Sequence, residues 1–127
     1  METFTVVRPE HLNSAGNLFG GQLLSWVDEY SWLAATRDFP LCAFVTRAMT
    51  DVAFRQQVPS GAIVRFTMTL EHVGVTSVTY GVSVDATPVG RAVAEPVFNT
   101  SVVLVNIDQN GAKSPIPLCP QMRDMWR

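Results

Sequence analysis

One long apolar helical pattern runs from about Gly20 to Thr36, Pro40 stops it, and everything after Pro40 reads as strand and turn. A chain with a single helix and several alternating strands has to bury that helix against a sheet, which is an α+β layer arrangement. On a helical wheel, Leu23, Val27, Tyr30 and Ala34 make one stripe. Leu24, Ser31 and Ala35 widen it on one side, Trp26 and Leu33 on the other, and the polar remainder is narrow: Ser25, Asp28 and Glu29. This pattern predicts a helix buried on most of its circumference. The small residues Gly20, Gly21, Ser31, Ala34 and Ala35 let other backbone approach closely.

The strands follow from alternation and from turn residues. Residues 3–8 read as a first strand, and Pro9 to Leu18 as a loop broken by Pro9, Asn13, Gly16 and Asn17. Residues 42–55 form the next strand, with a turn from Gln56 to Gly61. Between 62 and 72, Val64, Phe66, Met68 and Leu70 share one face, and Arg65, Thr67, Thr69 and Glu71 the other. After Gly74, residues 76–86 turn Val78, Tyr80, Val82 and Val84 inward. A loop with Pro88 and Gly90 precedes a last strand over 96–108, and a proline-bearing tail from Ser114 is expected to pack on the surface or stay loose. The expected order is strand, helix, then four strands in meander. A helix this apolar calls for a sheet that curls around it. The prediction is a single domain over residues 1–127, with a curved five- to six-stranded antiparallel sheet wrapping a long central helix. This matches the hotdog fold; the alternative is a cystatin-like α+β fold, which carries more helix ahead of its sheet.

Composition narrows the function classes. The net charge of −2, with Lys and Arg scattered, gives no electrostatic case for nucleic acid or an anionic membrane as partner. No apolar run reaches the length of a membrane span. The opening residues lack a signal peptide's basic and apolar regions, so a cytoplasmic location is expected. Cys42 and Cys119 read as free thiols in a reducing compartment, with a single disulfide as the alternative. Charged residues are only 16% of a chain that is 47% hydrophobic, which points to surface covered by association. His11 and His72 are far apart with no ligand-spaced neighbours, so no metal site is expected.

The segment from His11 to Ala35 sets a polar, Gly-containing loop against the helix that carries Asp28. A carboxylate among apolar neighbours is costly unless paired or used. Free N–H groups at a helix start suit an oxygen that gains negative charge. Each feature also has a plain structural reading. Asn13 suits a turn, Gly20 and Gly21 suit close packing, and Asp28 suits pairing with an Arg. Glu29 points away from Asp28 and reads as solvated, His11 as a loop residue, and His72 as surface.

Taken together, Asn13, Gly16, Phe19, Gly20, Gly21, Leu23, Leu24, Asp28 and Glu29 form a spaced pattern that resembles the signature of the hotdog acyl-CoA thioesterases, nearest the YciA-like bacterial enzymes and the brain acyl-CoA hydrolase type. The resemblance covers about a fifth of the chain. It implies hydrolysis of an acyl-CoA to a free acid and CoA, with CoA as part of the substrate and no other cofactor. Asp28 would be base or nucleophile, Gly20 and Gly21 the oxyanion donors, and Asn13 a polar group facing Asp28 of a partner subunit. It also implies a homodimer, alone or built into a tetramer or hexamer. Phe19, Phe54, Arg55, Gly61, Thr76 and Ser77 would lie along the CoA. Many members carry a basic residue two places after a Phe and just before a Pro. Here Arg55 directly follows Phe54, a one-place shift that turns a strand residue to the other face. Bulky Trp26, Tyr30 and Trp32 stand where smaller residues are common, which favours compact acyl groups. Alternatives are a hotdog hydratase or dehydratase, disfavoured because no His lies between Gly20 and Pro40, and a non-catalytic domain that binds an acyl group or other small molecule.

Overall fold

The computed structural model describes residues 1–117. Strands β1 (Glu2–Val6), β2 (Phe44–Phe54), β3 (Ile63–Val73), β4 (Ser77–Thr87) and β5 (Glu95–Asn106) form one antiparallel sheet. Helix α1 (Gly20–Asp38) lies against one face, and a 3₁₀ turn at Pro9–His11 precedes it. The alternating residues of β3 and β4 face as their pattern predicts. Val64, Phe66, Met68, Val78, Tyr80, Val82 and Val84 are buried, and Leu70 is half-buried.

The expected four-strand meander is corrected in one respect. The sheet order is β1-β3-β4-β5-β2, so β2 does not neighbour β3 but pairs with β5 at the far edge. The connection after β2 instead crosses the end of the sheet. Its path is fixed by backbone hydrogen bonds from Leu18 N–H to Val58 O at 2.7 Å and from Gly61 N–H to Val7 O at 2.8 Å. Adjacent pairing of sequential strands is the commoner outcome, and strand alternation carries no information about which edge a strand joins.

Cross-strand register sets a row of apolar side chains, Phe66, Val84, Phe98 and Phe54, across β3, β4, β5 and β2. Trp26 and Tyr30 meet Phe66 edge-on, with ring centroids 6.1 and 4.9 Å away. Burying each of Phe66, Val84 and Phe98 contributes roughly 1.5–3 kcal/mol. Leu23, Trp26, Val27, Ser31, Ala34 and Ala35 are the buried residues of α1. The helix is therefore less enclosed than its wheel predicts: Leu33 is exposed and Trp32 is 41% exposed. The sheet covers only one side, and the uncovered arc carries these two apolar residues.

The far end of the helix and the last strand are tied by buried polar groups. Asp38, the last residue of α1, accepts a 2.6 Å hydrogen bond from the buried Tyr80 hydroxyl, which offsets an acid at the negative end of a helix dipole. The buried Asn106 amide oxygen accepts from Ala43 N–H at 2.9 Å, and its nitrogen donates to the carbonyls of Ser114 and Pro115, each at 3.2 Å. Ile116 is buried, so residues 114–117 are pinned where a loose or surface tail was expected. Cys42 is a free, half-buried thiol whose pKa burial raises; Cys119 lies outside the described residues. Among the described residues, no helix is long and apolar enough to cross a membrane.

Candidate active site

The loop ahead of the helix closes on the Asn13 side chain. Its Oδ1 accepts from the N–H groups of Ala15 at 2.9 Å and Asn17 at 3.1 Å. Gly16 sits between them at φ +82, a left-handed conformation that suits glycine. The turn reading of Asn13 is thus what a single chain shows, while its exposed amide nitrogen has no partner among the described residues. His11 is also occupied structurally: Nδ1 accepts from Arg8 N–H at 3.0 Å, and the ring meets Trp26 edge-on at 4.7 Å.

Phe19 is the N-cap of α1 and offers no side-chain oxygen to the first turn. Its carbonyl takes the N–H groups of Gln22 at 3.0 Å and Leu23 at 3.1 Å. Those of Gly20 and Gly21 find no acceptor among the described residues. Both glycines also lie close to aromatic rings. A Cβ on Gly21 would lie 2.6 Å from the Phe19 ring, and one on Gly20 would lie 3.3 Å from the Phe54 ring. Two largely exposed aromatic rings therefore flank a pair of free donors.

Asp28 follows two turns later, half-buried at the margin of the helix that faces β2. Its Oδ1 accepts the Thr46 hydroxyl at 2.5 Å. The Arg partner considered for Asp28 is absent among the described residues, whose ion pairs are Arg37–Asp38 and Arg65–Asp85. Glu29 and His72 are exposed as expected. Sequence reasoning missed Thr46. Its signal was faint: it stands two places after the buried Phe44, on the same side of β2.

Three contacts run in opposite order along α1 and β2: Gly20 with Phe54, Asp28 with Thr46, and Trp32 with Phe44. They lay one side of α1 along the sheet's edge strand. Phe19, Gly20, Gly21 and Phe54 gather at one end, and Asp28 lies midway. Arg55 turns away to the outer face, where Nε and Nη2 both reach Asn99 Oδ1, at 3.0 and 2.7 Å. The one-place shift accounts for that direction. Gly61, at φ +84, lies in the crossing connection after β2. Thr76 and Ser77 are at the turn between β3 and β4. There Ser77 opposes Val105, which opposes Val45, so both sit toward the Phe44 end of β2.

A family profile described as thioesterase superfamily matches residues 15–92, which spans the free donors, Asp28, Thr46 and the first three strands after the helix. The chain belongs to the thioesterase superfamily. Within it, the chain is similar to mouse acyl-coenzyme A thioesterase 11, at 33% identity over 79 residues, 62% of this chain and 13% of that protein. It spans 13% of the length of that protein and 63% of the VdlD proteins of two Helicobacter pylori strains, which it matches at 26% identity over 114 residues. A hexameric hotdog fold thioesterase of Campylobacter jejuni superposes with a TM-score of 0.82 at 29% identity, covering 97% of this chain and 92% of that one. An acyl-CoA hydrolase of Staphylococcus aureus, solved with butyryl coenzyme A and coenzyme A, gives a TM-score of 0.83 at 20% identity and covers 92% and 71%. Its solved variants include one with an Asn and one with an Asp replaced by Ala, 15 positions apart. The superfamily member described here has the hotdog fold, with five strands.

Proposed function

We propose that this protein is an acyl-CoA thioesterase that hydrolyses the thioester to a free carboxylic acid and CoA, and that its active site is shared between two copies of the chain. The observation that carries this reading is the Asp28 carboxylate held by Thr46 on an open sheet edge, on the same helix as the free N–H groups of Gly20 and Gly21.

Asp28 serves as base toward water, or as nucleophile toward the carbonyl carbon. The Gly20 and Gly21 donors stabilise the oxyanion that forms on the carbonyl oxygen. Gly21 and Asp28 are seven residues apart, roughly 10 Å along the helix. A base and an oxyanion donor must each lie about 3 Å from one reacting carbonyl or its attacking water, so the pair within one chain is too far apart. A second chain brought along β2 resolves this by supplying Asn13 and the glycines to the first chain's Asp28. Three features favour that partner: β2 is an edge strand, it exposes Val45, Val52 and Phe54, and the uncovered arc of α1 exposes Trp32 and Leu33 beside it. The spacing of 15 between Asn13 and Asp28 equals that of the two replaced residues in the Staphylococcus aureus hydrolase.

Phe19 and Phe54 flank the thioester in this reading. Arg55, Gly61, Thr76 and Ser77 are the assigned contacts of the CoA tail, and Arg55 leaves Asn99 to meet a phosphate. CoA itself is the only cofactor-like group the reaction uses, and a reducing cytoplasm is its assigned setting. The test is release of free thiol from a panel of acyl-CoAs by the purified protein. Turnover that falls at least about a hundredfold in folded Asp28→Asn supports the reading. Undiminished turnover in that variant removes Asp28 from the mechanism.

A further inference from the structure

We infer that Gln57 is a positioning residue, acting through Asn17 to aim the Asn13 carboxamide. The inference rests on the shared-site reading above, in which Asn13 serves Asp28 of the partner subunit, and adds what sets the direction of that side chain.

The working end of Asn13 is its amide nitrogen, because its oxygen closes the loop. Oδ1 takes the N–H groups of Ala15 and Asn17. A carboxamide is planar, so holding the oxygen at two points also sets where the nitrogen aims. Asn17 grips Asn13 twice. Its N–H meets Oδ1 at 3.1 Å, and its carbonyl takes the Asn13 N–H at 2.7 Å. Any shift of Asn17 is therefore passed on to Asn13.

A loop closed only on itself is free to pivot as a unit. Asn17 is the residue that ties this one down. Its side chain is half-buried, and Nδ2 donates to Gln57 Oε1 at 3.0 Å, across 40 residues of chain. Gln57 belongs to the connection after β2, whose backbone is fastened to the neighbouring positions. Leu18 N–H donates to Val58 O at 2.7 Å, and Asn17 forms an isolated bridge with Pro59. Those backbone bonds fix the exit of the loop. The Gln57 side chain adds a grip on the Asn17 side chain that resists turning about that exit. Gln57 is itself exposed, and one neutral hydrogen bond at such a place contributes little to folding. Its effect falls on aim, to which rates are far more sensitive: a displacement of about 1 Å can cost up to a hundredfold.

The experiment measures kcat, KM and melting temperature on one acyl-CoA for wild type, Gln57→Met, Gln57→Glu and Asn13→Ala. Met keeps the length of the side chain and removes the acceptor, whereas Glu keeps an acceptor. Gln57→Met is expected to lower kcat about three- to tenfold, with KM and melting temperature little changed. Gln57→Glu should stay within about twofold of wild type, and Asn13→Ala should fall further than either. With Asn13→Ala nearly inactive, three results overturn this inference and leave the shared site standing. They are a wild-type kcat in Gln57→Met, a loss seen in melting temperature instead of kcat, and a Gln57→Glu as slow as Gln57→Met. Full activity in Asn13→Ala removes Asn13 from the site, and the shared-site reading and this inference then fall together. No turnover of any acyl-CoA by folded wild type brings down the thioesterase reading itself.

Discussion

Thr46 reaches from the outermost strand of the sheet to Asp28 on the helix and hands its hydroxyl hydrogen to the carboxylate. The carboxylate is thereby fixed in direction, with its second oxygen left for chemistry. That oxygen is the one that can act as base or nucleophile.

Replacing Thr46 by Val keeps the shape of the side chain and removes the donor. The lost bond is worth about 1–1.5 kcal/mol, so kcat is expected to drop about tenfold with KM little changed. Steady-state kinetics on an acyl-CoA read this directly. A kcat equal to that of wild type would mean the contact orients nothing.

A shared site predicts complementation. Asn13→Ala and Asp28→Asn are each expected to be nearly inactive alone. When the two are mixed and reassociated at random, half the dimers carry one of each, and each of those restores one site in two. Activity should return to about a quarter of wild type. A mixture as inactive as its components would place Asn13 outside the partner's site.

Gly21→Ala separates folding from function. Alanine is the better helix former by about 1 kcal/mol, so stability should hold or rise. Its Cβ lies 2.6 Å from the Phe19 ring, however, and forces that exposed ring aside from the free N–H groups. Thermal melting and thiol release measured on one sample should diverge, with the melting point kept and activity down at least tenfold.

Alkaline pH should unfold this protein through its tyrosines. Burial raises the Tyr80 pKa far above its ordinary 10.0, and the bond to Asp38 raises it further. Burial also raises Tyr30. The unfolded chain therefore releases phenolic protons near pH 10 that the native state keeps, so stability is lost as pH rises above about 10. In Tyr80→Phe the urea midpoint at pH 8 should fall by about 1 kcal/mol in stability, with a shallower decline between pH 9 and 11. An equally steep decline would assign the loss to other groups.

Asn106→Ala should cost about 2–4 kcal/mol in urea unfolding, because it leaves Ala43 N–H and two tail carbonyls without their partner. Loss of hydrogen-exchange protection at the Ser114 and Ile116 amides would accompany it.

Much of this architecture was legible in the residues because period and punctuation agree. The alternation of Val64, Phe66 and Met68 gave β3 its faces, and Pro40 ended the helix. The Asn–Gly–Gly–Asp spacing located the candidate site because a loop, a helix start and one rim residue have fixed offsets along the chain. What was not legible depends on distances through space. The placement of β2 beside β5 comes from a connection that travels across the sheet end, and nothing in the alternation of residues 44–54 records it. Thr46 was invisible for the same reason, since its meaning arises only once β2 lies beside Asp28. The exposure of Trp32 and Leu33 was missed because a wheel counts apolar residues without saying what covers them.

The outer strand β2 does not run evenly. Its ladder with β5 slips between Thr46 and Ala48 and again between Thr50 and Ala53, with Asp51 at φ +56 in the second slip. A strand kinked twice offers no long regular template for edge-to-edge pairing. The opposite border of the sheet, β1, is a strand of five residues. The described sheet therefore has no long flat border. In its own strand geometry the chain carries a guard against the open-ended ribbons to which exposed β edges otherwise lead.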